Sequence, residues 1–304
     1  EPRPAGLVAR DAEWSVLSRG YVYTDSPAVS AAGELYFAAP VQNRIYRVRE
    51  ADVVEVFAES TSMGMGLVFG ADGRLYACSN RAASIVAYDA EGERSILYQG
   101  ELTLLPDKPT APGEFCNDLA VHSNGSLWYT DRINRRVMHL STAGEVTVAA
   151  AGFRPNGAVL SLDEKMLVVT DSNEPRLWAF AVQPDGSLRE LPEYFPAVKT
   201  LDKMGDENVA GRPGTNGLTI DGSGRFYLTS FYGVQVFAPE GAYLGVIEKP
   251  AGFISNLTFA GPERRTLVAT GVNGIWELAM EVRGPPLPAA SGVAAGASPG
   301  AFIQ

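Results

Sequence analysis

Cysteine and histidine are nearly missing from this chain, with two of each in 304 residues. Cys78 and Cys116 show no metal-ligand spacing, and His122 and His139 form no His-x-x-x-His pair, so a zinc site of thiolates or imidazoles has no support. The cysteines are expected to be buried free thiols, and the histidines ordinary strand or surface residues. No Gly-x-Ser-x-Gly elbow occurs, which removes the usual serine-hydrolase arrangement. No apolar run reaches the ~18 residues of a membrane-spanning helix. Positive charge is short as well: 25 Lys and Arg face 35 Asp and Glu, a net charge of −10. Nucleic-acid binding needs a basic face, and an acidic surface reads most simply as solubility.

What the chain does have is 32 Gly, 20 Pro and 46% hydrophobic residues, the makeup of many short strands and tight turns. One phrase recurs six times: a turn, a strand centred on Leu or Phe, a polar turn, then a second strand. It occupies residues 33–48, 73–88, 125–140, 164–180, 224–237 and 264–278. Aligned on Leu35, Leu75, Leu127, Leu167, Phe226 and Leu267, the copies are 40, 52, 40, 59 and 41 residues apart. A strand-and-turn period of about 40 residues predicts an all-β, six-bladed β-propeller with one blade per copy.

Ten or eleven residues before each aligned position stand Asp25, Met65, Asn117, Asn156, Asn216 and Asn256. Inner strands of a propeller all run along the central channel, so these positions form a ring around it. Oxygens from Asp and Asn suit a hard cation, because Ca²⁺ takes oxygen ligands almost exclusively. The alternative is that these residues cap turns between blades. Residues 14–18 read as a strand that closes the last blade by pairing with the 264–278 hairpin, so that residues 1–283 make one domain. Two long segments, 100–116 and 199–215, run directly into Asn117 and Asn216 and read as lids. Residues 284–304 carry no charge and read as a low-complexity Ala/Gly/Pro-rich tail. The chain starts Glu1-Pro2 without Met; a removed signal peptide would make the protein periplasmic or secreted, and otherwise it is expected in the cytoplasm.

Several motifs resemble one known family. Thr24-Asp25-Ser26-Pro27 with Gly33–Phe37 and Asn43–Arg47 is similar to its entry strand and first hairpin. Cys116-Asn117-Asp118-Leu119 with Tyr129-Thr130-Asp131 resembles its third blade. Pro155-Asn156-Gly157 with Val169-Thr170-Asp171 resembles the fourth, and Thr215-Asn216-Gly217-Leu218 the fifth. The family is that of senescence marker protein 30, gluconolactonase and the luciferin-regenerating enzyme, and the likeness covers about residues 20–280. The resemblance implies one divalent cation, most often Ca²⁺ and sometimes Zn²⁺ or Mn²⁺, held here by Asp25, Asn117, Asn156 and Asn216. It departs at two places. Asp25 is one methylene shorter than the family's Glu. Asn216 replaces an Asp that usually serves also as general base, and an amide cannot accept that proton.

The leading reading is therefore a metal-dependent hydrolase of a lactone or related ester, with Asn216, Asn117 and Asp118 as catalytic residues. Met65, Asn256, Tyr232 and Glu114 are the expected substrate contacts. Substitute carboxylates for the missing base are Asp118, Asp131, Asp171, Asp206, Glu207 and Glu114. Two other readings stay open because of Asn216: a non-hydrolytic isomerase or lyase on the same site, or a propeller that only binds a ligand. In each case the expected partner is a small molecule, with no nucleic acid and no membrane.

Overall fold

The computed structural model describes residues 3–49, 53–103, 114–201, 211–250 and 252–287. Its strands form six sheets arranged as the blades of a propeller. Blade one is Asp25–Val29, Leu35–Ala39, Arg44–Val48 and Val54–Glu59, from the channel outward. Blade two is Gly64–Phe69, Leu75–Ser79, Ser84–Tyr88 and Arg94–Gln99; blade three is Leu119–Val121, Leu127–Asp131, Arg136–Leu140 and Val146–Ala151. Blade four is Pro155–Leu160, Met166–Asp171, Leu177–Val182 and Leu188–Glu190; blade five is Leu218–Ile220, Phe226–Thr229, Val234–Phe237 and Tyr243–Ile247. Blade six combines Ile254–Ala260, the long Thr266–Ala279 and the N-terminal Ser15–Tyr23. Ser15 pairs with Glu277 and Val16 with Trp276, so the first strand of the chain covers the edge of the last blade.

Burial follows position within a blade. The second strand of blade one, Leu35–Ala39, is buried along its whole length, because neighbouring blades pack on both of its faces. The outermost strand of blade two, Arg94–Gln99, is mostly exposed. Between blades the core is aromatic: Phe153 stacks on Trp178 with ring centroids 4.4 Å apart.

The recurrent phrase has a physical content visible in the backbone. Its leading glycines, Gly33, Gly73, Gly125 and Gly224, all have φ between 79° and 93°, a region that L side chains avoid. In blades four and six, Glu164 (φ 58°) and Arg264 (φ 57°) adopt the left-handed conformation at this turn. The Thr of the second strand also has a repeated duty. Thr130 Oγ1 donates to the Asn156 carbonyl at 2.5 Å, Thr170 Oγ1 to the Asn216 carbonyl at 2.6 Å, and Thr229 Oγ1 to the Ser255 carbonyl at 3.2 Å. Blades three, four and five thus each pin the backbone of the next blade at or beside its ring position.

One expectation is overturned. Cys78 and Cys116 are not free thiols: they form a disulfide, with Cα atoms 5.6 Å apart across a sequence separation of 38. Cys78 lies on the second strand of blade two and Cys116 immediately precedes Asn117. The two come together because adjacent blades press tightly there: a Cβ on Gly66 would lie 2.8 Å from Cys78 Sγ and 3.0 Å from the Asn117 carbonyl oxygen. Closing a loop of this length stabilises by about 3–4 kcal/mol in the chain-entropy account. The Cys78→Ser/Cys116→Ser double variant is therefore expected to lose about that much in urea denaturation, and an unchanged midpoint would show the bond to be energetically idle.

Candidate active site at the channel mouth

The ring positions lie within two residues of the start of the inner strands, before it (Asn117, Asn216), at it (Asp25) or just after it (Met65, Asn156, Asn256). Asp25, Asn156 and Asn256 are buried, whereas Asn117, Asn216 and Met65 are half-buried. Tight backbone approach holds the strands here. Gly157 N–H donates to the Asn216 carbonyl at 3.2 Å, and a Cβ on Gly217 would fall 2.0 Å from the Asn256 side chain.

The amides of Asn117 and Asn156 are held in the same way. Asn117 Nδ2 donates to Glu114 Oε1 at 3.2 Å, and Asn156 Nδ2 donates to Ser172 Oγ at 3.1 Å. With each nitrogen tied back, each side-chain oxygen is turned away from that tie. Asn156 Oδ1 is buried and has no hydrogen-bond partner, which is costly unless something else takes it up. Glu114 is itself anchored by Arg132, whose Nε donates at 3.0 Å and whose Nη2 completes a two-point contact. Upstream, Asn80 Oδ1 accepts from the N–H groups of Phe115 (2.8 Å) and Cys116 (3.0 Å), fixing the chain as it enters Asn117.

Asp25 anchors the opposite side. Its Oδ2 accepts the Tyr23 hydroxyl at 2.6 Å and its Oδ1 accepts the Ser26 N–H at 2.7 Å. Burial raises the Asp25 carboxyl above the ordinary value, against these stabilising hydrogen bonds. Burial and then the charge of Asp25 hold the Tyr23 phenol well above its usual range, so it remains a donor. The side chains of Asn216 and Ser255 also reach this phenol. Tyr23 joins neither the ring nor the repeat, and only its place two residues before Asp25 marks it in the sequence. Beyond it, Phe253 stacks on the Tyr23 ring with centroids 6.5 Å apart.

Asp118 sits one residue beyond Asn117. Its Oδ1 accepts from Leu119 N–H at 3.0 Å and its Oδ2 from Ala158 N–H at 3.1 Å. Burial pushes its carboxyl up to about 7, and the Asn256 amide lies against both Asp118 and Asp25. Met65 packs against the cluster around Cys78 and Cys116. Tyr232 is half-buried at the blade-five turn, where the neighbouring Phe231 carbonyl accepts Lys249 Nζ at 2.9 Å. Asp131 and Asp171 face other tasks: Asp131 pairs with Arg136 at 2.8 Å, and Asp171 accepts from Asn173 N–H at 2.9 Å and Trp178 Nε1 at 3.1 Å. Asp206, Glu207 and most of the two long segments (104–113 and 202–210) lie outside the described residues, as does the tail beyond residue 287. His139 is buried beside Trp128, ring centroids 5.1 Å apart, in the wall between blades three and four.

Among the described residues no group of three or more His, Cys, Asp or Glu could hold a metal ion. The ring nevertheless fits a hard cation: one carboxylate, amide oxygens turned away from the ties to their nitrogens, and a buried oxygen lacking a partner.

A six-bladed β-propeller with a polar ring at the channel mouth defines the class. Residues 23–273 match the SMP-30/Gluconolactonase/LRE-like region, and the chain belongs to that family. It is 26% identical to a gluconolactonase of Zymomonas mobilis over 90% of this chain and 80% of that one. A solved gluconolactonase from Xanthomonas campestris is 27% identical, with a TM-score of 0.73 and coverage of 91% of this chain and 92% of the other. The calcium-binding protein regucalcin of Agrobacterium tumefaciens shares the fold, with a TM-score of 0.67 at 19% identity over 93% of this chain and 97% of its own.

Proposed function

We propose that this protein is a lactone hydrolase acting on sugar lactones, with one divalent cation, Ca²⁺ in preference to Zn²⁺ or Mn²⁺, at the channel mouth. The buried, unpartnered Asn156 Oδ1 is the observation that carries the cation, and the gluconolactonase relatives support the substrate class. Asp25, Asn117, Asn156 and Asn216 would hold it, and when bound it would polarise the lactone carbonyl as a Lewis acid.

The rest is done by the chain. Asp25 supplies the one formal negative charge of the ring. The Tyr23 hydroxyl fixes Asp25 Oδ2 by donating to it, and Glu114 and Ser172 keep the amide oxygens of Asn117 and Asn156 turned out. Asn216 can orient a substrate but cannot take a proton. Glu114 is engaged by Arg132, while Asp131 and Asp171 are committed to neighbouring turns and side chains. Asp118 is the remaining carboxylate of the described residues beside the ring, and we assign it the proton released when water attacks the carbonyl. Its two backbone hydrogen bonds hold the carboxyl group in place. The Cys78–Cys116 disulfide supports a periplasmic or secreted location, since such bonds persist in oxidising compartments.

The test is hydrolysis of D-glucono-δ-lactone in a pH-stat, before and after chelation. Activity should fall to background after dialysis against EDTA and return with Ca²⁺. Hydrolysis that survives complete metal removal would overturn the cation's role, and no hydrolysis of any sugar lactone would overturn the substrate class.

A further inference from the structure

Toward the far end of the inner strands, away from the ring, the channel widens into a cavity of about 480 Å³. Asp118 and Asn256 close its ring side, Leu67, Leu119, Leu218 and Leu257 supply much of its wall, and Arg264 and Pro285 stand at its outer rim. A few hundred Å³ is the size of a small-molecule site, and the wall mixes apolar with polar surface, the apolar part being somewhat the larger.

Arg264 is the unusual member. Its Nε is buried without a hydrogen-bond partner, and burial brings its guanidinium down to about 10. The arginines around it are all paired. Arg225 Nε lies 2.7 Å from Asp221, while Arg283 and Arg265 share Glu263 at 2.7 and 3.5 Å. Arg264 forms no ion pair among the described residues, although Asp118 and Glu164 line the same cavity, and residues 284–304 contain no acidic side chain. A guanidinium half withdrawn from water without a counter-charge is unfavourable, and an anion relieves it.

The backbone is shaped to keep the guanidinium there. Glu263 and Arg264 take consecutive left-handed conformations, φ 55° and 57°, a strained pair for residues other than glycine. Gly284 N–H donates to the Arg264 carbonyl at 2.8 Å. A Cβ on Gly284 would sit 2.4 Å from Phe259 Cβ and 3.0 Å from Arg264 Nε, so the chain crosses flat against the guanidinium before Pro285.

We propose that this cavity, which shares Asp118 and Asn256 with the ring and opens on the far side of it, is a second binding site for an amphiphilic monoanion: a compact apolar body bearing one carboxylate. The carboxylate would take the Arg264 fork in a two-point, charge-assisted contact, and the apolar body would fill the leucine-lined wall. A neutral amphiphile leaves Arg264 uncompensated, and a bare inorganic anion leaves the wall unfilled.

Isothermal titration calorimetry on the full chain tests this with octanoate, against octan-1-ol and inorganic phosphate. Octanoate should bind at one site per chain, and both comparison probes should bind at least tenfold more weakly. Arg264→Gln should weaken octanoate at least tenfold while leaving lactone hydrolysis unchanged. Because that variant could also disturb the strained turn, a chain-length series on the unmodified protein is the second measurement. From hexanoate to octanoate, affinity should rise about fourfold per methylene, as burial of each CH₂ requires. No octanoate binding, phosphate binding as tightly as octanoate, equal affinity in Arg264→Gln, or a flat series would each overturn the proposal.

Discussion

Replacing Asp25 by alanine is expected to abolish binding of the proposed cation at the channel mouth and to lower kcat/KM for lactone hydrolysis on the order of 10³-fold, the scale of several kcal/mol of Lewis-acid stabilisation. Asp25 is the one carboxylate among the six ring positions, and it is only 4% exposed. The other three proposed ligands, Asn117, Asn156 and Asn216, offer only dipoles, so the site's affinity leans on that single charge. The substitution has a second consequence that must be separated from the first. The Tyr23 hydroxyl and the Ser26 N–H lose their acceptors, and each unsatisfied buried donor costs about 1–3 kcal/mol. Asp25→Asn isolates the charge, because its amide oxygen can still accept one of these hydrogen bonds. Metal content by plasma mass spectrometry should fall to background in both variants, with thermal stability reduced more in Asp25→Ala. Stoichiometric metal in Asp25→Ala would show that the asparagines alone suffice.

How far the site could be read from the sequence depends on which contacts repeat. The ring was legible because each blade contributes one inner strand ten or eleven residues before Leu35, Leu75, Leu127, Leu167, Phe226 or Leu267, so a one-dimensional period maps onto a circle. The closing strand was legible from the edge that an open last blade would leave; the structure carries its pairing on as far as Tyr23 opposite Val272. What did not repeat stayed hidden. Tyr23 comes from the outer strand of blade six, and reaches Asp25 only because the chain crosses there from the last blade to the first. The Glu114–Arg132 pair joins a loop to a hairpin turn 18 residues away. The disulfide depends on how closely two blades approach at Gly66, and spacing alone carries no trace of that. Arg264 looked like one more hairpin residue until its turn conformation and its unpartnered Nε placed it on a cavity wall.

Asp118→Asn should lower kcat by about 10²-fold or more, the usual contribution of a general base, while leaving metal content intact. Asparagine keeps an oxygen for one of the backbone donors, Leu119 N–H or Ala158 N–H, so the fold is expected to hold and the loss should appear in kcat rather than KM. The decisive step is then to restore a carboxylate at position 216. Asn216→Asp adds a ligand charge and a proton acceptor together, at a ring position whose backbone is already pinned by Gly157 N–H and Thr170 Oγ1. In otherwise unmodified protein it should tighten Ca²⁺ binding and raise the hydrolytic rate. Within the Asp118→Asn background it should recover much of the lost rate, because the acceptor has moved back to the ring. Recovery would establish that the two positions can exchange the same duty, and that Asn216 reflects a relocated base rather than a lost activity. If Asp118→Asn keeps full activity, the proton goes elsewhere. If Asn216→Asp slows the unmodified enzyme, the neutral amide is itself required at that position, as a group that orients the substrate.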